Sequence, residues 1–239
     1  MAKTVAIVLS AGKGKRMNSE TPKQYIDINH KPVLYYSVSA FESSYVDEIV
    51  IVCGRGDEDY IKEEIVAKYS FAKVKAIVPG GKERYHSVYN GLMAAGDADY
   101  VLIHDGARPM ISQEVIDRVR ECVEGGTSCV AAVPVTDTIK IVDSEGKVLS
   151  TPDRKTLWAM QTPQAFSFKL IKNAYEELIN KEEETLKAGI NITDDAMVAE
   201  QFGGSCVKVI MGDYDNIKIT TPKDIEIAER ILAKIASKN

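Results

Sequence analysis

Short stretches that are apolar at every position alternate along this chain with helical patterns, and this alternation constrains the fold more than any other feature. A strand that is apolar throughout belongs to a sheet that is covered on both faces. Strands alternating with helices predict βαβ units, so we predict an α/β fold with a mostly parallel, doubly wound sheet. The predicted strands are Val5–Leu9, Ile49–Val52, Val74–Val78, Tyr100–Ile103 and Cys129–Val133, and the predicted helices are Pro32–Phe41, Asp57–Lys68, Glu83–Ala95 and Gln113–Val123.

The alternation stops after Pro134. Thr138–Val142 alternates apolar and polar residues, Asp143–Lys147 is rich in turn residues, and Val148–Leu149 begins a return strand, which predicts a β-hairpin. A two-stranded ribbon is marginally stable alone, so this one must lie against its own domain or a second subunit. We expect a single domain over residues 1–239 with an arm at about 135–160. The elements predicted beyond the arm are helices at Phe168–Ile179 and Asp194–Gln201, a strand at Cys206–Ile210, and an amphipathic helix that begins after Thr221 with Pro222.

The loops at the carboxyl ends of the strands are the expected binding region, because ligands of such sheets bind there. Residues 10–23, 79–87 and 104–109 should therefore face one crevice, although they are far apart in sequence.

A glycine-rich stretch, "LSAGKGKRM", follows the first strand. Its glycines allow backbone N–H groups to approach an anion closely. The stretch lacks the third glycine of a dinucleotide fingerprint and the Gly-Lys-Ser/Thr ending of a Walker A loop. It is then either a phosphate loop, whose Lys13, Lys15 and Arg16 suit a highly charged group, or a solvated lysine-rich turn.

The overall charge favours the first of these interpretations. The chain has 30 Lys and Arg against 35 Asp and Glu, a net charge of −5, so it offers no general basic field for nucleic acid. Cations concentrated in a few loops of an acidic protein suggest a small anionic ligand. No apolar run approaches the length that spans a membrane.

The cysteines indicate a reducing compartment. Cys53, Cys122, Cys129 and Cys206 form no Cys-x-x-Cys pair and lie in or beside apolar segments. We expect neither a disulfide nor a zinc site, and a cytoplasmic protein.

Two further loops carry polar residues into the predicted crevice. "PKQY" places Lys23 shortly after the glycine loop, and "GGKERYHSV" is a glycine pair that leads into a helix with Lys82, Arg84 and Ser87 in its first turns. The helix N-terminus and the Ser87 hydroxyl suit a base or ribose edge, but an ordinary glycine turn would look the same.

"IHDGARP" follows the strand at 100–103 and holds Asp105 and Arg108 three residues apart. A carboxylate at a strand end suits Mg²⁺, and the arginine can bind a phosphate monoester in a bidentate manner. The alternatives are a simple pair between the two residues or a metal-hydrolase dyad of His104 and Asp105. The chain has only three histidines to supply such a centre, so we expect His104 to be structural.

Taken together, these segments resemble the 2-C-methyl-D-erythritol 4-phosphate cytidylyltransferases of the non-mevalonate isoprenoid pathway. The ribitol-5-phosphate cytidylyltransferases of cell-wall polymer synthesis are similar, but "DR" before "LW" is more like the erythritol group. The resemblance spans nearly the whole chain. Its segments, in order, are "SAGKGKRM", "PKQ", "HDGARP", "DTIK", "DRKTLWAMQTPQ", "TDD" and "DNIKIT".

The resemblance implies a Rossmann-like nucleotidyltransferase fold, CTP and a polyol phosphate as substrates, Mg²⁺ as cofactor, and a homodimer with no nucleic acid or membrane partner. The arm would then reach a site of the other subunit. The implied catalytic residues are Arg16, Lys23 and Lys218, the nucleotide-binding residues are Ala11, Gly12, Gly14, Gly81, Ser87 and Asp105, the acceptor-binding residues are Asp105, Arg108, Thr138, Arg154 and Thr162, and the metal ligand is Asp105.

Two other classes of protein are alternatives to this one. A non-catalytic nucleotide-binding regulator would keep the glycine loop but has no reason to hold Lys23, Asp105 and Lys218 together. It would bind CTP without releasing pyrophosphate. A dinucleotide oxidoreductase would need an acidic ribose ligand after the second strand, where Cys53-Gly54-Arg55 stands instead.

Overall fold

A seven-stranded sheet forms the centre of the protein in the computed structural model, which describes residues 2–12, 14, 17 and 21–237. The strands in chain order are β1 Thr4–Ser10, β2 Asp27–Ile28, β3 Lys31–Pro32, β4 Glu48–Cys53, β5 Val74–Pro79, β6 Tyr100–Asp105, β7 Cys129–Pro134, β8 Ile141–Val142, β9 Val148–Ser150, β10 Trp158–Ser167 and β11 Lys208–Met211. The helices are α1 Val33–Glu42, α2 Glu58–Tyr60, α3 Arg84–Ala94, α4 Gln113–Glu124, α5 Phe168–Asn180, α6 Glu182–Lys187, α7 Asp195–Gln201 and α8 Pro222–Ala236.

The strand order of the sheet is β11-β7-β10-β6-β1-β4-β5. All neighbouring pairs run parallel except those of β10, which is antiparallel to both β6 and β7. This arrangement confirms the predicted mostly parallel α/β sheet.

Both faces of the sheet are covered, as the uniformly apolar strands predict. In β1, Ala6 and Val8 belong to one core layer, and Val5 and Ile7 belong to the layer on the opposite face. Helices α1 and α4 cover the first face, while α3, α5 and α7 cover the second. A third apolar cluster joins α8 to the segment before it, through Ile219, Ala228 and Ile231. Among the described residues, no helix has the length and apolar character needed to cross a membrane.

Three predicted elements differ from the observed ones. The predicted helix over Asp57–Lys68 is a short α2 continued by π-helical turns at Ile61–Ala67. The hairpin pairs only Ile141–Val142 with Val148–Ser150, and its residues are almost all exposed. The last predicted strand lies at Lys208–Met211 and not at Cys206–Ile210.

Strand β10 and helix α6 are absent from the sequence-based prediction. The pattern of β10, "WAMQTPQAFS", is broken by polar residues and a proline, yet Gln161–Phe166 is buried. Its polar side chains are accommodated by hydrogen bonds to distant parts of the chain, which local periodicity does not reveal.

Candidate active site

The carboxyl ends of β1, β5 and β6 open onto a cavity of about 560 Å³. The three loops that we expected to share a crevice all contribute to its wall, so that prediction is confirmed. We call this space the nucleotide cavity. Its lining residues are Leu9, Ser10, Ala11, Gly12, Gly14, Lys23, Gln24, Gly81, Lys82, Glu83, Arg84, Ser87, Asp105, Ala107 and Lys218.

One wall of the nucleotide cavity depends on a close approach of the first loop to the loop before α3. A Cβ atom at Gly80 would overlap the Ala11 Cβ, and one at Gly81 would overlap the His86 Cβ. The Gly81 N–H donates to the Ser87 Oγ at 3.0 Å, and that hydroxyl lies 3.3 Å from the Glu83 carbonyl. These contacts fix the turn that carries Gly81 and Ser87, the two residues expected to contact the base.

Lys23 extends along the same cavity from a 3-10 turn at Lys23–Tyr25. Its Nζ donates to the carbonyl of Ile219 at 2.8 Å, which ties the loop after β1 to the segment before α8. The neighbouring Gln24 is buried and donates to the Ser10 carbonyl at 2.8 Å. The expected phosphate-binding cations Lys13, Lys15 and Arg16 lie outside the described residues.

Asp105, at the end of β6, is the electrostatic centre of the site. Its Oδ2 lies 2.7 Å from the Lys218 Nζ and 3.9 Å from the Arg108 Nε, and its Oδ1 lies 3.6 Å from the Arg84 Nε. Burial alone would raise the pKa of this carboxyl. The charges of Arg84, Lys218 and Arg108 outweigh the burial and hold the pKa of Asp105 well below its ordinary value, so it is ionised at neutral pH.

A second cavity of about 250 Å³ adjoins the first, and we call it the acceptor cavity. Of the residues that the structure describes, Arg84, Asp105 and Lys218 line both cavities, so they mark the junction between them. The residues of the acceptor cavity are Arg84, Asp105, Arg108, Met160, Gln161, Thr162, Gln164, Thr193, Asp194 and Lys218.

Arg108 and Thr162 lie in the acceptor cavity as expected. Most of their polar atoms already have partners, but the Arg108 Nε is buried and has no hydrogen-bond partner among the described residues. The terminal nitrogens of Arg108 donate to the carbonyls of Asn216 at 2.8 Å and Met160 at 3.3 Å. The Thr162 hydroxyl accepts from the Asp105 N–H at 3.0 Å and lies 3.0 Å from the His104 Nδ1. Both residues therefore brace the loop that carries Asp105.

His104 is structural, as the sequence suggested. It is completely buried, and its Nε2 lies 3.2 Å from the carbonyl of Arg108. Burial lowers its pKa to about 4, so the ring is neutral at physiological pH. No group of three or more His, Cys, Asp or Glu side chains suited to a metal occurs in the described ranges.

Thr138 and Arg154 lie on the arm, and neither is among the described residues that line the two cavities. Arg154 is exposed and donates to the Thr136 carbonyl at 3.0 Å within the arm. The arm also exposes large apolar side chains, among them Ile141, Val148 and Leu149 at 50%, 52% and 62%. Within one chain, then, these two expected acceptor-binding residues are not assembled with the rest.

Several residues around the junction have no role that the sequence predicts. Asp195 is completely buried and accepts hydrogen bonds from both terminal nitrogens of Arg84, each at 2.7 Å. The two residues are 111 positions apart in the sequence. Gln164 bridges Asp194 and the Ala196 N–H. The segment "TDD" was part of the resemblance, and adjacent carboxylates at a helix start were the available signal, but nothing local connects them to Arg84.

Comparison with known proteins relates the chain to one enzyme family over nearly its full length. A family model described as 2-C-methyl-D-erythritol 4-phosphate cytidylyltransferase matches residues 4–234. A relative of that name from Lachnospira eligens is 51% identical, with 93% of this chain and 96% of the relative covered. Another from Lachnoclostridium phytofermentans is 47% identical, with 97% of each covered.

Solved structures agree with the sequence relatives. The crystal structure of 4-diphosphocytidyl-2C-methyl-D-erythritol synthase from Anaerococcus prevotii matches with a TM-score of 0.81 at 34% identity, covering 97% of this chain and 96% of that one. The 2-C-methyl-D-erythritol 4-phosphate cytidylyltransferase from Thermus thermophilus matches with a TM-score of 0.73 at 25% identity, covering 95% and 98%.

Proposed function

Because the chain belongs to the 2-C-methyl-D-erythritol 4-phosphate cytidylyltransferase family, we propose that the junction around Asp105 is where it transfers CMP from CTP to 2-C-methyl-D-erythritol 4-phosphate. The products are 4-diphosphocytidyl-2-C-methyl-D-erythritol and pyrophosphate, so this is a nucleotidyltransferase of isoprenoid precursor synthesis. The observation that carries the proposal is the meeting of two cavities at Arg84, Asp105 and Lys218. CTP in the larger cavity and the acceptor in the smaller would meet there.

The acceptor supplies its own nucleophile. A phosphate monoester has a second pKa of about 6, so it is largely a dianion at neutral pH. Its oxygen attacks the α-phosphorus of CTP, a P–O bond forms, and the bond to pyrophosphate breaks without a general base from the protein. This fits a site in which His104 is buried and engaged.

The protein's task is then to bring two polyanions together in line, which cations achieve by offsetting their repulsion. Lys23 acts on the triphosphate, and Lys218 acts on the reacting phosphate at the junction. Arg16, which lies outside the described residues, is assigned to the triphosphate by the family resemblance alone. Gly81 and Ser87 bind the base, while Ala11, Gly12 and Gly14 line the nucleotide.

The residues present suit Mg²⁺. Asp105 offers an ionised, mostly buried carboxylate at the junction, and Mg²⁺ is commonly held by one or two carboxylates together with substrate phosphates. Asp105 would hold the ion, and the CTP phosphates would complete its ligands. When bound, Mg²⁺ neutralises phosphate charge and makes the α-phosphorus more electrophilic.

The arm is proposed to dock on a second copy of the chain and to deliver Thr138 and Arg154 to the partner's acceptor cavity. Support comes from its exposed apolar residues and from the position of both side chains away from their own site. The free thiols of Cys53, Cys122, Cys129 and Cys206 support a reducing, cytoplasmic location.

A pyrophosphate-release assay tests the function. We expect release with CTP and 2-C-methyl-D-erythritol 4-phosphate, and much less when ribitol 5-phosphate replaces the acceptor. Faster release with ribitol 5-phosphate would reassign the acceptor. If calorimetry shows that CTP binds but no pyrophosphate is released in the presence of either acceptor, the protein would instead be the non-catalytic regulator.

A further inference from the structure

Arg84 occupies a position at the junction that its contacts constrain unusually strongly. It lines both cavities, yet both of its terminal nitrogens donate to Asp195, which is not among the described residues that line either cavity. Only its Nε faces Asp105, at 3.6 Å, which is longer than a hydrogen bond. A bidentate arginine–carboxylate pair fixes the plane of the guanidinium as well as its position.

Asp195 is itself held in place. It is completely buried at the first position of α7, and the Tyr175 hydroxyl of α5 donates to the same Oδ1 that Arg84 contacts, at 2.5 Å. The Arg84 side chain of α3, 29% exposed, is thus held by the completely buried Tyr175 of α5 and Asp195 of α7, and we call these three residues the Arg84 lock. Burying a charge such as that of Asp195 in an ion pair often stabilises a fold no better than apolar residues of similar volume, so stability alone does not account for the lock.

The lock determines what Asp105 can bind. Lys218, 37% exposed, is the most exposed of the three cationic partners of that carboxylate and can exchange its contact for one with a phosphate. A guanidinium released from Asp195 would be different, because it could close the 3.6 Å gap and bind both oxygens of Asp105 in the bidentate manner.

We propose that Arg84 is a positioning residue, and that Asp195 and Tyr175 hold it back from Asp105 so that this carboxylate remains available to the divalent cation that accompanies CTP. The inference rests on the proposed function, in which Asp105 is the metal ligand. It makes the Arg84 lock part of the metal site, although no atom of the lock would contact the ion.

The test measures CTP affinity by calorimetry with and without Mg²⁺ and takes the ratio of the two, which we call the metal gain. Because both values come from the same protein sample, a partly unfolded fraction cancels. Asp195→Asn should reduce the metal gain about tenfold or more, because the Arg84 guanidinium would lose its charged partner and would bind the Asp105 carboxylate in its place. Tyr175→Phe keeps the ion pair and should reduce it about threefold.

A double variant tests the capture itself. Combining Arg84→Gln with Asp195→Asn removes the guanidinium together with its lock, so the metal gain should return most of the way to the wild-type value. A role in folding alone predicts no such rescue. The matched control is Tyr85→Phe, on the same helix as Arg84. It removes a similar tyrosine–carboxylate hydrogen bond, to Glu182 at 2.7 Å, and should leave the metal gain unchanged.

A wild-type metal gain in folded Asp195→Asn, or no recovery in the double variant, overturns the inference. If Asp195→Asn does not fold, a wild-type metal gain in Tyr175→Phe overturns it. Failure of the proposed function would look different: wild-type protein would release no pyrophosphate from CTP and the acceptor.

Discussion

Replacing Asp105 with asparagine should both destabilise the protein and disable its metal-dependent step. The substitution keeps the shape of the side chain but removes the charge that faces Lys218 at 2.7 Å, Arg84 at 3.6 Å and Arg108 at 3.9 Å. Removing one partner of a buried ion pair costs about 3–5 kcal/mol. Lys218 can turn toward water, and Arg84 keeps Asp195, so we expect the lower end, about 3 kcal/mol.

For a chain of this length, each kcal/mol lowers the Tm by about 2–4 °C, so the Tm of Asp105→Asn should fall by about 6–12 °C. The loss has a pH dependence with a definite sign. The cations hold the folded pKa of Asp105 below the unfolded value of about 3.9, so its contribution is complete above that pH. It disappears as the pH falls through the folded pKa, and the two proteins should converge in acid.

Differential scanning calorimetry measures the Tm, and pyrophosphate release during a Mg²⁺ titration measures the catalytic effect. We expect the Mg²⁺ concentration at half-maximal rate to rise and wild-type activity to vanish in excess chelator. Asp97→Asn is the matched control. The Asp97 side chain is 90% exposed and pairs with Lys3 at the surface, so losing its charge should barely change the Tm or the Mg²⁺ requirement. Full activity in chelator, or a Tm like that of the control, would refute this reasoning.

Three further predictions follow from the same site. Lys23→Ala should lower kcat by about 10²–10³ in the pyrophosphate assay, the usual loss for one preorganised electrostatic group, and a near-normal kcat would remove Lys23 from the catalytic residues. Co-refolding Lys23→Ala with Arg154→Ala should restore about a quarter of all sites. Random pairing makes half the dimers mixed, and one of the two sites in each mixed dimer is intact. If mass spectrometry shows mixed dimers but activity does not recover, the site is not shared between subunits. Wild-type stability should fall by on the order of 3 kcal/mol between pH 6.5 and 4, because burial lowers the pKa of His104 to about 4 while the unfolded chain takes up the proton near pH 6.5. A His104→Asn variant, compared by denaturant titration across that range, should lack this loss, and parallel curves for the two proteins would show that His104 does not cause it.

The sequence predicts the sheet well where burial follows a simple period. In β1 every residue from Val5 to Val8 is buried because neighbouring side chains point to opposite, equally covered faces. The same rule identified β4 and β6, and the position of the ligand crevice then followed from the direction of the strands.

Strand β10 shows where this reasoning fails. Gln161, Thr162 and Gln164 are buried but polar, and each is accommodated by a partner far along the chain, such as Asp213, His104 or Asp194. A buried polar strand becomes stable only when those hydrogen bonds exist, so its own residues give no periodic signal.

The candidate site divides in a similar way. Asp105 could be proposed because it follows a predicted strand, Lys23 because it follows the glycine loop, and Ser87 because it lies in the first turns of a predicted helix. Asp195 becomes relevant only through its contact with Arg84. The roles expected for Thr138 and Arg154 stay predictions, because a single chain does not bring the arm to its own cavities.

Strand β10 also has a consequence for how enzyme concentration should affect kinetics. Its exposed first residues, Trp158–Met160, continue the arm, and the buried residues that line the acceptor cavity begin at Gln161, directly after them. Under the proposed dimer, dilution that separates the subunits would free this end of the strand and remove the partner's Thr138 and Arg154 from the cavity. The nucleotide cavity shares no residue with β10 among those described. Dilution should therefore raise the KM for the acceptor while leaving the KM for CTP nearly constant.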